Sequence, residues 1–399
     1  MVRGTPSMAA VAGHICLDII PAIFQRAAFE QAFVPGKLVE VGAAALSTGG
    51  AVSNTGIALH KLGIPTRLMG KVGDDIFGRA ILNILEGVHP SLSDQMIVNS
   101  GESSSYTIVV SPPQVDRIFL HYSGANDTFG AADIPDLDGV SLFHFGYPPL
   151  MRRMYVDQGA ELAAILRMAK QRLLTTSLDM ARPDPQSDAG RADWPAILRQ
   201  VLPYVDVFLP SFEEILFMLD RGRLEDLKRA AGADEPTLLA DGRLLGEIAE
   251  QLLAWGAGAV GIKLGDQGLY LRTTASPPRW DDAGGVFAGN TALWRGRELL
   301  APCFLVEAVG TTGAGDSTVA GFLAALLRGM APVDALTRAV AVGACNVEAA
   351  DATSGVPSWD VVQRRMESGW ARRPVKLSLT GWEWDARRGV WAGPNDRRE

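Results

Sequence analysis

The chain has 399 residues and a net charge of −8 at neutral pH, which argues against a general nucleic-acid-binding face but leaves room for a local phosphate pocket. Its 47% hydrophobic and 21% charged residues suit a soluble enzyme with an ample core, and the length fits one large α/β domain with additions. Cys16, Cys303 and Cys345 are widely spaced, with no CxxC pair and no HExxH among the five histidines, so the sequence offers no zinc site and suits reduced thiols in the cytoplasm.

Residues 9–20 (AAVAGHICLDII) form an apolar run with one acidic residue near its end, as expected of a buried strand with a functional tip. The wider stretch from Met8 to Phe24 is interrupted by His14, Asp18 and Pro21, so it reads poorly as a signal peptide or membrane span. Residues 37–47 are rich in β-formers. Apolar spacing then predicts helices over 52–62 and 76–85 around a strand at 67–72. Residues 104–121 (within SYTIVVSPPQVDRIFLHY) are again β-rich, with a turn at Pro112 and Pro113. These two β-rich stretches lack intervening helices and predict antiparallel strands outside the main sheet, either a small sheet covering an active-site mouth or surface hairpins without function.

Further strands are predicted over 141–145, 175–179, 206–209 and 259–263, alternating with helices near 158–170, 195–202, 211–219 and 244–255. The alternation predicts an α/β fold with a mainly parallel sheet covered by helices. Residues 221–242 and 277–299 read as loop-rich, polar insertions. Beyond Arg373, Trp382, Trp384 and Trp391 predict a hairpin folded onto the body or onto a neighbouring subunit.

The segment VGTTGAGDSTVAGFLAALLRGM starts at Val309. Val319, Phe322, Leu323, Leu326 and Met330 recur at helical spacing, so the glycine-rich turn Gly310 to Gly315 delivers backbone N–H groups to a helix N-terminus. Such a terminus is a ready anion site. The spacing matches the GxxxxG of a Walker A loop, but Asp316 stands where that loop has lysine. A carboxylate beside a phosphate cradle repels phosphate unless its task is to take a proton from an attacking hydroxyl. Alone, such a turn also fits an Asp and glycines that serve only capping and turn geometry.

A second segment, TGGAVSNTGIALHKLGIPTRLMGKVGDDIFG, starts at Thr48. Its GG turn lets backbone approach a polyol closely, and Asn54 both donates to and accepts from hydroxyls. Together the two segments resemble the two signature regions of the PfkB (ribokinase-like) family of carbohydrate and nucleoside kinases, in register from about Ala10 to Met366. The resemblance implies a three-layer α/β/α kinase domain over 1–372 with a small β-sheet lid (strands within about 20–48 and 103–124), followed by the 373–399 extension.

It also implies roles for single residues. Asp18 of GHICLD, Gly49, Gly50 and Asn54 are expected to contact the acceptor, and Asn126 of YSGANDTF is a pocket residue. Gly313, Ala314 and Gly315 form an anion hole, and Asp316 is the base. Lys263, Gly265 and Gly268 of KLGDQG, with Thr311, lie near the nucleotide phosphates, and Asn346 flanks the adenine. Asp179 of SLDMARPDP ends a central strand, in a role either functional or structural.

Two positions depart from the family pattern. Its N-x-x-E motif, which organises magnesium through water, is here Ser211 to Glu214. Glu214 keeps the acidic position, and a serine hydroxyl still bonds a metal-bound water, so altered magnesium handling is expected. Gly310 replaces an aspartate that helps hold a monovalent cation in some members, so dependence on such an ion is expected to be weak or absent.

The leading reading is phosphoryl transfer from ATP, with Mg2+, to a primary hydroxyl of a sugar or sugar acid. A nucleoside kinase needs an aromatic pocket beside Asp18 and Asn54, for which Phe119 and Tyr122 are available. A silent sugar- or nucleotide-binding regulator is the third reading, motivated by Ser211 and Gly310. A Rossmann dehydrogenase wants GxGxxG after the first strand, which GHICLD does not supply. No nucleic-acid or membrane partner is expected, and a homodimer through the lid follows from the edge such a sheet exposes.

Overall fold

The computed structural model describes residues 7–23, 35–111, 117–232 and 235–397. The expected end at Phe24, the turn at Pro112 and Pro113, and residues 24–34 of the first lid window lie outside these.

The apolar run 9–20 is two strands, not one. β1 (Met8–Gly13) and β2 (Cys16–Pro21) enter different sheets. The break falls at Gly13, whose φ of +126° favours glycine. A Cβ there would lie 2.2 Å from the Gly146 carbonyl oxygen. Asp18 therefore sits within the second strand rather than at the end of the first.

The lid strands are β2, β3 (Ala44–Gly49), β7 (Tyr106–Val110) and β8 (Ile118–Tyr122), in the order β3-β2-β7-β8; the outer pairs are antiparallel as expected, but β2 and β7 run parallel. The strand expected over 37–47 begins only at Ala44, and it runs on through the first glycine of the GG pair. A strand expected over 67–72 is likewise two: β4 (Thr66–Met69) joins the main sheet, while β5 (Lys71–Gly73) pairs with β6 (Ile97–Asn99).

Among the described residues the main sheet has ten strands. β4, β1, β9 (Val140–Gly146), β10 (Thr175–Leu178), β11 (Val207–Phe208) and β12 (Ala259–Lys263) lie parallel in that order. β13 (Leu269–Thr273), β14 (Glu298–Ala301), β16 (Val390–Ala392) and β15 (Glu383–Asp385) extend it antiparallel.

Helices cover both faces because alternate strand residues do. Ala9 and Val11 point into one core with the helices Ala51–Lys61, Ala314–Leu327 and Pro332–Asn346. Ala10 and Ala12 point into the other, with Ala160–Gln171, Trp194–Val201, Phe212–Leu219 and Gly242–Ala254. The helix Ala314–Leu327 is buried along most of its length and packs so closely on Pro332–Asn346 that a Cβ on Gly321 would lie 3.0 Å from the Arg338 carbonyl. Its N-terminus is thereby a fixed platform.

Both supposed insertions are more ordered than their polarity suggests. Residues 221–242 contain the helix Arg221–Ala231. Residues 277–299 bury Trp280, Phe287 and Trp294, with rings meeting edge to face at 4.9 to 5.3 Å. The pattern missed this because the three aromatics are separated by polar and small residues. The extension folds onto the body: β16 pairs with β14, and Trp382 packs on Tyr270. No helix among the described residues is long and apolar enough to cross a membrane.

Candidate active site

The site lies where the helix Ala314–Leu327 begins, between the carboxyl ends of the parallel strands and the lid. Open α/β sheets place ligands at such strand ends. Gly313 caps the helix with φ +69°, and a Cβ there would sit 2.3 Å from the Ala352 carbonyl oxygen. Ala314, Gly315 and Asp316 form the first turn, so their N–H groups have no intrahelical acceptor.

Asp316 is 3% exposed, and its carboxylate accepts hydrogen bonds from three side chains among the described residues. Asn54 Nδ2 donates to Oδ2 at 3.1 Å, and Thr55 Oγ1 donates to Oδ1 at 3.3 Å. The Tyr147 hydroxyl donates to both oxygens at 2.9 Å. Burial pushes the Asp316 carboxyl above the usual carboxylate range, against the opposing pull of Lys263 and these three donors. Burial and the Asp316 charge raise the Tyr147 phenol well above its ordinary value, so it acts as a donor.

Tyr147 follows β9 in left-handed backbone at φ 62°. A non-glycine residue held there is a strained position of the kind found at functional sites. Its signal in the sequence was a strand ending in Gly-Tyr-Pro-Pro at the functional edge of the sheet.

Lys263, at the end of β12, lies beside the helix N-terminus. A Cβ on Gly315 would lie 3.8 Å from its Nζ. Lys263 donates to Asp179 Oδ1 at 2.5 Å. Burial pulls the ammonium down, but Asp179, Glu214 and Asp316 together hold it above the ordinary lysine range, so it stays cationic. Burial pushes Asp179 up to about 7. Asp179 Oδ2 is buried without a hydrogen-bond partner.

Ser211 and Glu214 form a capping box for the helix Phe212–Leu219: Ser211 N–H donates to Glu214 Oε2 at 2.6 Å, and Ser211 Oγ accepts from Glu214 N at 3.4 Å. The serine oxygen expected to face a metal-bound water is therefore engaged as a cap. Glu214 still acts electrostatically on Asp179 and Lys263. A buried, unpartnered carboxylate oxygen beside a second carboxylate is a donor set that fits Mg2+ and its waters.

On the acceptor side, the GG pair makes room for neighbours. A Cβ on Gly49 would strike the Asp18 carboxylate at 2.5 Å, and one on Gly50 would strike His14. Strand register aligns Asp18 with Thr107, and Thr107 with His121, in a row across the lid sheet. Burial pushes Asp18 up to about 6. Asn126 is buried, but Ile15 and Ser123 carbonyls take both amide hydrogens, and its Oδ1 accepts from Ile15 N. It positions the β1–β2 connection and has no donor left for a ligand.

The residues expected near the nucleotide divide as well. Gly265 (φ +57°) and Gly268 (φ +115°) shape the tight turn between β12 and β13. Asn346 donates to the Thr312 carbonyl at 2.9 Å, bracing the glycine-rich loop. Arg117, missed by the sequence reading, reaches from the lid edge to Thr311 Oγ1 at 3.0 Å. The GDDxFG stretch resolves into a helix cap, with Asp75 accepting from Gly78 N at 2.7 Å.

A family model described as pfkB family carbohydrate kinase matches residues 13–359. The 2-dehydro-3-deoxygluconokinase of Bacillus subtilis is 27% identical over 334 residues, covering 81% of this chain and 87% of its own. Among solved structures, Arabidopsis thaliana ribokinase with ribose and ATP superposes at a TM-score of 0.66 and 17% identity, covering 90% of this chain and 98% of that one. The Burkholderia thailandensis nucleoside kinase in complex with inosine gives a TM-score of 0.62 at 17% identity, over 92% and 100%.

Proposed function

Because this chain belongs to the pfkB family of carbohydrate kinases, we propose that it transfers the γ-phosphoryl group of ATP to a primary hydroxyl of a sugar or sugar acid. The observation that carries this reading is a buried Asp316 carboxylate one residue past the Gly313–Gly315 turn, within hydrogen-bond reach of Asn54. Both stand at the helix N-terminus, so base and anion cradle share one rigid element.

In the proposed reaction the acceptor hydroxyl takes the place of the Tyr147 hydroxyl at Asp316, which accepts its proton. The Gly313, Ala314 and Gly315 N–H groups and Lys263 receive the charge that builds on the transferring phosphoryl. Magnesium, when bound, supplies further neutralisation of the phosphate oxygens. Asp179 and Glu214 would hold it. Asp18 would bind acceptor hydroxyls, and Thr311 with Arg117 would close over the phosphates.

A nucleoside acceptor is the second reading; of the two lid rings, Phe119 shares the face of Asp18 and Tyr122 does not. Tyr122 turns to the lid face opposite Asp18 and meets Tyr106 at 5.8 Å. Phe119 is 57% exposed on an edge strand whose apolar side chains also supply the surface for the proposed homodimer.

The test is ADP release from ATP and magnesium against ketoses, pentoses, sugar acids and nucleosides. Stimulation by a sugar or sugar acid supports the reading. Stimulation by a nucleoside alone replaces it with the second. Binding without turnover across the whole panel would point to the regulatory reading.

A further inference from the structure

The scattered histidines and cysteines gave no metal motif in the sequence, yet the fold gathers three of them. His14 from the β1–β2 connection, Cys16 from β2 and His121 from β8 bring ligand atoms within 4.8 Å of one another. We infer that they form a site for a zinc-class transition metal, with His14 Nε2, Cys16 Sγ and His121 Nε2 as protein ligands and a fourth position beside Asp18.

The separation of the two imidazoles supports an ion between them. His14 Nε2 and His121 Nε2 are 3.3 Å apart. An N–H donor ordinarily approaches its acceptor at about 2.9–3.0 Å. Two nitrogens bonded at about 2.05 Å to one tetrahedral ion stand about 3.3 Å apart.

The His14 ring is also short of partners. It is 1% exposed, and among the described residues the long contact to His121 is the one bond of its Nε2. A buried ring nitrogen with no closer partner is open to an ion. His121, by contrast, is braced as metal-binding histidines are: its Nδ1 lies 3.0 Å from Thr107 Oγ1, leaving Nε2 for the ion.

His121 lies in an exposed strand, which gives the ion a path from solvent. Asp18 Oδ1 is 3.3 Å from Cys16 Sγ and stands ready to complete the coordination or yield it to an acceptor oxygen. A bound ion would tie the lid's edge strand to the body next to the acceptor pocket. The site does not depend on the kinase reading, because its ligands are separate from the phosphate loop.

The test uses full-length protein stripped with chelator and titrated with Co2+. One equivalent per chain is expected to give tetrahedral visible bands and a thiolate-to-cobalt charge-transfer band, both displaced by Zn2+. Cys16→Ser should abolish the charge-transfer band, while Cys303→Ser and Cys345→Ser keep it. Thr107→Val should weaken binding by about 10–100-fold. His121→Ala, at an exposed position, tests the site even if Cys16→Ser fails to fold, and should abolish stoichiometric binding. No charge-transfer band at stoichiometric Co2+, or one that survives Cys16→Ser or His121→Ala, overturns the site. The cluster would then be a metal-free chain of hydrogen bonds running from His14 through His121 and Thr107 to Cys16 and Asp18.

Discussion

The Tyr147 hydroxyl lies 2.9 Å from each carboxylate oxygen of Asp316. In the proposed reaction the phenol would hold the place of the acceptor hydroxyl and stabilise the charged base. Tyr147→Phe removes a donor that lowers the Asp316 pKa, so that pKa rises. The base is then protonated at a higher pH, and the acid limb of kcat/KM should move up by about one pH unit, the equivalent of a hydrogen bond to charge worth about 1.4 kcal/mol. An unmoved limb would show that Tyr147 does not tune the base.

Asp316 itself sets the second expectation. Asp316→Asn keeps the shape of the helix N-terminus but cannot accept the proton, so kcat should fall about 10²–10⁴-fold. ATP affinity, read by calorimetry, should stay nearly constant. In the unmodified protein the acid limb should lie above the ordinary aspartate value of about 3.9, because burial raises this carboxyl. Activity is lost as pH falls through that raised value.

The buried pair Lys263 and Asp179 separates stability from activity. Lys263→Met strands a buried carboxylate and should cost about 3–5 kcal/mol in denaturant unfolding. Adding Asp179→Leu should recover much of that loss without recovering turnover. Recovery of activity with stability would show that the pair is structural only.

Arg117, among the described lid residues, touches the glycine-rich loop through Thr311. Arg117→Ala should leave the melting temperature almost unchanged, since surface changes are usually within about 0.5 kcal/mol. Its kcat/KM should drop about tenfold, equivalent to about 1.4 kcal/mol of lost transition-state contact. Unchanged kinetics would remove Arg117 from the site.

Gly310 bears on monovalent ions. A Cβ there would meet the Ala350 and Ala349 carbonyl oxygens at 2.8 and 2.9 Å, so the loop as folded does not accommodate an aspartate. Replacing sodium with potassium should leave the rate unchanged, and a many-fold rise would contradict this.

Local patterns determined much of this protein. Strand–helix alternation predicted the parallel sheet, the GAGD turn predicted a helix N-terminus carrying Asp316, and the tryptophans predicted the hairpin extension. Each is a signal between residues a few positions apart, which periodicity and turn chemistry report. Tertiary structure alone decided the rest. The split of residues 9–20 into two sheets depends on Gly13 meeting Gly146, and the buried aromatics of 277–299 depend on what packs over them. Tyr147 is 169 residues from Asp316, and His14 is 107 from His121. Strand order and cross-strand register bring such residues together, and neither leaves a trace in the spacing of the residues themselves.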